Sequence, residues 1–281
     1  MIFEHEIPNG SRLYFGRVAK KKRELENKLS SFFYDIGFEE IITPNFSYSG
    51  HQAIDDETKL IKMNDEKNNQ VALRADSTLD VARIIKKRLG RTTSHKKWFY
   101  IQPVFTYPTY ENYQIGCEWL EHKNISDIIN LTADVLKQIG INPTIQVTNI
   151  NIAKLVANEL NIDLELFKNG EIAKLYELKI DWLDDLIASI TKTDLQNTLP
   201  KLPSNIKTEV QKLINSVDKV SYENIILSPL YYTHMKYYTD VYYKVIEDNF
   251  TIARGGRYES DGLQSLGFSL YTDSLLKILE K

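Results

Sequence analysis

Strand-like segments interrupted by helical ones, a tight hairpin near the middle of the chain, and a later stretch without strand character together predict an α+β fold: a mostly antiparallel sheet flanked by helices, with a small helical insertion. After the polar turn Pro8-Asn9-Gly10, the residues Leu25, Leu29, Phe32, Phe33 and Ile36 recur at helical spacing over 17–36, and Gly37 stops the run. The opposite side of this helix holds Lys20-Lys21-Lys22-Arg23, read as a solvated face. Residues 38–43 form a strand ended by Pro44, and 71–74 a second, short one. Asp76 or Ser77 then caps a helix reaching Leu89, before Gly90. Strands at 97–107 and 112–120, joined by Pro108-Thr109-Tyr110-Glu111, make the clearest hairpin. A helix over 126–139 ends at Gly140, and a strand follows at 144–150. Helical patterns at 152–160, 175–190 and 206–214, broken by Gly170, Pro200 and Pro203, mark 151–220 as a helical insertion in a core made of 1–150 and 221–281. Strands return at 237–246 and 250–254, followed by a turn at Gly255-Gly256 and a final helix near 271–280.

Composition narrows the function. The chain has 281 residues, 42% hydrophobic and 26% charged, which is ordinary globular usage and excludes disorder and fibrous repeats. Its single cysteine, Cys117, can form neither an internal disulfide nor a cysteine metal cluster, so a reducing, cytoplasmic setting is expected. With a net charge of −3 and an isoelectric point of about 6.0, no global basic field recruits nucleic acid. The N-terminus lacks the pattern of a signal peptide, and no apolar run approaches the ~18–20 residues of a membrane span. No phosphate-loop or dinucleotide glycine pattern occurs. The histidines His5, His51, His95, His122 and His234 are scattered without metal-ligand spacing, so neither cofactor nor metal is expected.

Four stretches are candidates for chemistry. In Tyr113-Gln114-Ile115-Gly116-Cys117-Glu118-Trp119 the strand period of two puts Gln114, Gly116 and Glu118 on one face. The glycine between an amide and a carboxylate then leaves a notch for a small amine or imidazole; the alternative is a polar face turned to water. Asp76 in Leu73-Arg74-Ala75-Asp76-Ser77-Thr78 is either a ligand group or simply a helix cap. Ala253-Arg254-Gly255-Gly256-Arg257-Tyr258 offers close backbone approach and two guanidinium groups, or an ordinary Gly-Gly hairpin. Tyr237-Tyr238-Thr239-Asp240-Val241-Tyr242-Tyr243 is a pocket wall or core packing.

Taken in order, these pieces resemble the catalytic core of class II histidyl-tRNA synthetases. The segment ending Glu39-Glu40-Ile41-Ile42-Thr43-Pro44 is similar to the unit through which class II cores dimerise. Leu73 to Thr78, followed by Val81-Ala82-Arg83, is similar to the loop cradling the amino group of histidine. Phe99 to Phe105 with Gln114-Ile115-Gly116-Cys117-Glu118 resembles the central hairpin and its histidine-recognising Gln and Glu. Tyr237-Tyr238-Thr239 and Ala253 to Tyr258 resemble the two histidine-specific segments, and Gly267-Phe268-Ser269-Leu270 the opening of the last helix. The resemblance implies a class II aminoacyl-tRNA synthetase-like core with a histidine pocket, either vestigial or the effector site, of Asp76, Thr78, Gln114, Glu118, Tyr237, Tyr238, Gly255, Gly256 and Arg257, the other place for the effector being the boundary with a catalytic subunit.

The departures redirect the function. Three arginines that the family uses on ATP and in catalysis fall at Thr106, Thr233 and Ser274, and Asp240 stands where the family has glycine. A hydroxyl supplies neither the charge nor the bidentate fork of a guanidinium, and losing such groups costs ~10²–10³ in rate apiece. The chain ends at Lys281, directly after the last class II helix, so neither an anticodon-binding domain nor a tRNA substrate is expected. Keeping the histidine side while losing the ATP side resembles the regulatory subunits of ATP phosphoribosyltransferase. That resemblance implies a non-catalytic role in histidine biosynthesis, with a short-form catalytic subunit as partner and feedback inhibition by histidine. It also implies a homodimer within a hetero-oligomer, a hetero-octamer in that family. Two other readings stand beside it: a class II-like amino-acid ligase with Lys236, Arg254 and Arg257 as replacement cations, or a stand-alone histidine sensor.

Overall fold

Helix α1 (Gly16–Asp35) forms where apolar residues recur at helical spacing and buries Leu25, Leu29 and Phe33. It ends as Gly37 takes a φ of +80°, which the missing Cβ permits. The computed structural model describes all residues except 1–5, 52–55, 234, 236 and 281. The chain divides into two compact units, residues 1–122 with 260–281 and residues 123–259. After α1 the first unit holds β1 (Glu39–Glu40), β2 (Phe46–Tyr48), β3 (Lys62–Asn64), β4 (Gln70–Leu73), α2 (Ser77–Ile84), β5 (Lys97–Thr106) and β6 (Tyr110–Leu120). The second unit begins with α3 (Ile125–Ile139) and β7 (Thr144–Asn149). There follow α4 (Ile150–Leu160), α5 (Glu165–Lys168), α6 (Ile172–Tyr176), α7 (Asp181–Ala188), α8 (Lys192–Thr198) and α9 (Ser204–Ser216), then β8 (Ile225–Leu227), β9 (Tyr238–Glu247) and β10 (Phe250–Ser260). The chain returns to the first unit with β11 (Leu263–Tyr271) and α10 (Thr272–Leu279).

In the first unit the strands run in the order β1-β5-β6-β11, with β1 parallel to β5 and the rest antiparallel. A small antiparallel sheet, β2-β4-β3, lies in the same unit. Phe33 stacks on Phe99 with ring centroids 5.2 Å apart, and Phe38 and Phe268 complete this aromatic core. In the second unit the order is β10-β9-β7-β8, antiparallel except for the β7–β8 pair. No strand is present between β7 and β8 among the described residues.

Several expectations are corrected by the tertiary context. The strand expected over 38–43 is only two residues long. Beyond it the Ile41 N–H still donates to the Phe99 carbonyl, but the Thr43 N–H turns to the Gln102 side chain. The helix expected to reach Leu89 is α-helical only to Ile84 and continues as a π-turn over Ile85–Leu89. The stretch 175–190 holds the end of α6 and all of α7 rather than one helix. Gly255 and Gly256 are not a turn, because β10 continues through them; the bend that follows β10 lies at Asp261 and Gly262, with φ +52° and +74°. Gly267 to Leu270 lie in β11 and not in a helix, and this strand is buried on both faces, which erases the period-two signal. The lysine run of α1 is not wholly solvated: Lys22 pairs with buried Glu26 and stands 4.1 Å from the Tyr113 ring centroid, while the Lys21 ammonium donates to the Leu279 carbonyl.

Candidate functional site

β6 lies between β5 and β11, and its register aligns three rows of side chains. Gln114 faces Gln102 and Tyr271, Gly116 faces Tyr100 and Ser269, and Glu118 faces Trp98 and Gly267. Residues directly opposite in an antiparallel pair share a face, so these rows form one surface. From Gln114 to Glu118 every residue of β6 is buried, which removes the water-facing alternative.

The notch expected at Gly116 exists and is filled from within the unit. A Cβ there would lie 2.4 Å from the Tyr100 hydroxyl oxygen and 2.7 Å from the Phe268 carbonyl oxygen, so Tyr100 lies across the glycine. The Tyr100 hydroxyl donates to Glu118 Oε1 at 3.4 Å and shares a hydrogen bond with Ser269 Oγ. Burial pushes the Tyr100 phenol well above its ordinary range, helped by the charges of Glu118 and Asp76, while Ser269 and Thr78 act in the opposite direction. The structure thus brings Asp76, Thr78 and Glu118 around one buried hydroxyl. Glu118 is fully buried, and a Cβ on Gly267 would lie 2.0 Å from its Oε2, so the second glycine makes room for the carboxylate. Burial and Glu118 together raise the Cys117 thiol well above its usual value.

Asp76 serves as the N-cap of α2, accepting from the Leu79 N–H at 3.4 Å, while its charge also reaches Tyr100. Cap and cluster member are therefore the same residue. The loop before it is anchored by Arg74, whose fully buried guanidinium donates to the carbonyls of Thr43, Pro44 and Pro103 and to Asn45 Oδ1. In the row beside Gly116, Gln102 Oε1 accepts from Thr43, while Gln102 Nε2 and Gln114 Oε1 are buried without a hydrogen-bond partner among the described residues. Sequence reasoning passed over Tyr100, Gln102 and Ser269. Period two along 97–107 places Trp98, Tyr100 and Gln102 together, and that signal alone would have found two of the three.

The second unit organises its own group. The ring of Tyr238 lies 4.6 Å from that of Tyr237 and 4.8 Å from that of Tyr242. It also covers Gly256, where a Cβ would meet the Tyr238 ring at 3.0 Å and the Val241 carbonyl at 2.6 Å. Gly255 pairs with Tyr243 in regular register, which then shifts between Gly256 and Tyr258. At the shift, Arg257 Nε donates to Asp240 Oδ1 at 3.0 Å and its Nη2 to the Lys123 carbonyl at 2.7 Å. The aspartate that departs from the family pattern is thus the ion-pair partner of Arg257.

The three positions at which the resemblance expected family arginines hold neutral side chains. Thr106 ends β5, Thr233 is buried with its hydroxyl accepting from the Met235 N–H at 3.3 Å, and Ser274 lies in the first turn of α10. Next to Ser274, Asp273 lies 3.5 Å from Arg12 and accepts from the Tyr14 hydroxyl at 2.6 Å. Among the cations named from sequence, Arg254 and Arg257 are described, whereas Lys236, like His5 and His234, lies outside the described residues. Among the described residues no group of three or more His, Cys, Asp or Glu is placed to hold a metal, and no helix is long and apolar enough to cross a membrane.

The family profile described as histidyl-tRNA synthetase matches residues 14–275. The chain is 42% identical over 277 residues to a Wolinella succinogenes protein named ATP phosphoribosyltransferase regulatory subunit, covering 99% of this chain and 96% of that one. It is 37% identical to the protein of the same name from Helicobacter hepaticus, covering 99% of each. A Bacillus halodurans structure described as an ATP phosphoribosyltransferase regulatory subunit/histidyl-tRNA synthetase superposes with a TM-score of 0.85 at 19% identity, covering 99% of this chain and 84% of that one. The chain therefore belongs to the histidyl-tRNA synthetase family, among the members named ATP phosphoribosyltransferase regulatory subunit.

Proposed function

We propose that this chain is a non-catalytic regulatory subunit of ATP phosphoribosyltransferase, required with a short-form catalytic subunit for the first step of histidine biosynthesis and for feedback inhibition by histidine. The observation that carries the reading is that two relatives matched over nearly their whole length bear that name; the neutral Thr106, Thr233 and Ser274, where the resemblance would place the family's ATP and catalytic arginines, support it. Neutral hydroxyls there leave the triphosphate without its guanidinium forks, which argues against adenylate formation.

In this reading the histidine effector is held by Asp76, Thr78, Gln114 and Glu118. Their two carboxylates suit an amine or imidazolium, and the buried Gln114 Oε1 supplies an acceptor. Tyr237, Tyr238, Gly255 and Gly256 keep the part that the family resemblance assigns them, and Arg257 serves to hold Asp240. The chain works in the cytoplasm as a homodimer within a hetero-oligomer, a hetero-octamer as the family implies. Residues 151–220 are the helical insertion of a core formed by 1–150 and 221–281.

The test mixes the full chain with a short-form catalytic subunit and follows product formation from ATP and phosphoribosyl pyrophosphate. Activity appearing only in the mixture, co-elution of the two proteins and a fall in rate on adding histidine are expected. No activation and no co-elution would overturn the proposal, and histidine-dependent exchange of pyrophosphate into ATP by the chain alone would favour a ligase instead.

A further inference from the structure

Residues 86–97 concentrate Lys86, Lys87, Arg88, Arg91, Lys96 and Lys97 without one carboxylate, in a chain whose net charge is −3. Ordinary contacts account for four of them. Lys86 donates to the Asp261 carbonyl, Lys87 lies 3.2 Å from the Asp261 carboxylate, Lys96 pairs with Glu121, and Lys97 sits 4.6 Å from the Trp119 ring centroid. The Leu89 carbonyl at the end of the π-turn is already satisfied by the N–H groups of Thr92 and Thr93, so Arg91 is not needed there as a helix-end cation. Arg91 is exposed and has no ion pair among the described residues. It borders a cavity of about 550 Å³ that lies entirely within the first unit.

The walls of that cavity have two characters. Its polar lining includes Arg91, Ser94 and Thr93, whose Oγ1 accepts from the His95 N–H at 3.0 Å and whose own O–H remains a donor, together with the Lys96–Glu121 ion pair. Its apolar lining is Ile85, Leu120 and Leu263. A permanently charged planar fork beside two hydroxyl donors matches phosphate oxygens, and an apolar wall suits a flat ring; the volume falls in the range of small-molecule sites. We propose that this cavity binds a small phosphorylated ligand of the nucleotide class, with its phosphates on Arg91, Ser94 and Thr93 and its ring against Leu120 and Leu263. A concave, half-apolar site in an acidic chain is unlike the extended basic track that nucleic acid requires.

The test is titration calorimetry on the full chain, without any catalytic subunit, using ATP, pyrophosphate, adenosine and a short single-stranded RNA. Saturable ATP binding is expected, with pyrophosphate weaker and adenosine weaker still. Arg91→Ala should weaken ATP by about tenfold or more, and Arg91→Lys by less, because it keeps the charge and loses the fork. Lys201→Ala, at an exposed lysine of the second unit, should change nothing. Absence of saturable ATP and pyrophosphate binding, equal affinity in Arg91→Ala, or RNA binding tighter than ATP would each overturn the proposal. Because no partner is present, these outcomes are independent of the regulatory reading.

Discussion

Gly267 shows how a single missing methyl positions a charge. Glu118 can lie flat against β11 only because nothing projects from residue 267, where a Cβ would also meet the Cys117 carbonyl at 2.7 Å. That carbonyl is backbone and cannot rotate away, so Gly267→Ala is expected to cost about 1–3 kcal/mol. Urea denaturation should show a lower midpoint at unchanged slope; an unaltered midpoint would mean that β11 relaxes freely. Asp76 poses a different question, since one carboxylate caps α2 and contributes to the field around Tyr100. Asp76→Ala should lose about 1 kcal/mol of stability, whereas Asp76→Asn retains the cap. Both should abolish histidine inhibition of the assembled enzyme, because both remove the charge. If Asp76→Asn responds to histidine normally, the residue is a cap and nothing more.

At the scale of elements, Arg74 is the joint between β4, the segment after β1 and strand β5. Its guanidinium donates to three main-chain carbonyls and one side-chain amide oxygen, of which the Thr43 carbonyl is buried and the others are part-buried. Replacing it by methionine of similar reach would orphan those acceptors, at ~1–3 kcal/mol for each that stays dry. Arg74→Met is therefore expected to lose about 1–3 kcal/mol, read as a fall in melting temperature. Loss of the same size in histidine response without loss of stability would contradict the structural role. β10 presents the complementary case, in which the strand continues through two glycines because the Tyr238 ring occupies the space above Gly256. The adjoining register shift then delivers Arg257 to Asp240. Backbone irregularity here places an ion pair, and the departure from the family pattern at residue 240 is matched by a partner 17 residues further on.

Across the whole molecule, alkaline pH is the predicted weakness. Burial raises Tyr14, Tyr100 and Tyr113, and it lifts Tyr222 to about 12; Cys117 rises as well. These groups hold their protons in the folded chain at pH values where the unfolded chain releases them. Stability is therefore complete below about pH 8 and falls as pH rises through the ordinary thiol and phenol range. For the fully buried Tyr100 and Cys117 the slope approaches about 1.4 kcal/mol per pH unit each. Urea midpoints between pH 8 and pH 11 should decline, and tyrosinate absorbance should appear for these side chains only as the fold is lost. A flat midpoint across that interval would contradict the assignment.

Read by itself, the chain determined its α+β class, the hairpin of β5 and β6 and the N-cap at Asp76, because each is local: a period or a cap. Periodicity failed where strands are covered on both faces, as in β11, since burial on both sides removes the alternation that reveals a strand. It also misplaced Gly255 and Gly256, because a glycine demanded by close packing is spelled the same way as a glycine demanded by a turn. The occupant of the notch at Gly116 was a tertiary decision: Tyr100 comes from the neighbouring strand, and only the register of β5 against β6 says which side chain fills that space. Lone residues report chemistry, whereas the enclosure that shifts their proton affinities is a property of segments far apart in sequence brought within a few ångströms.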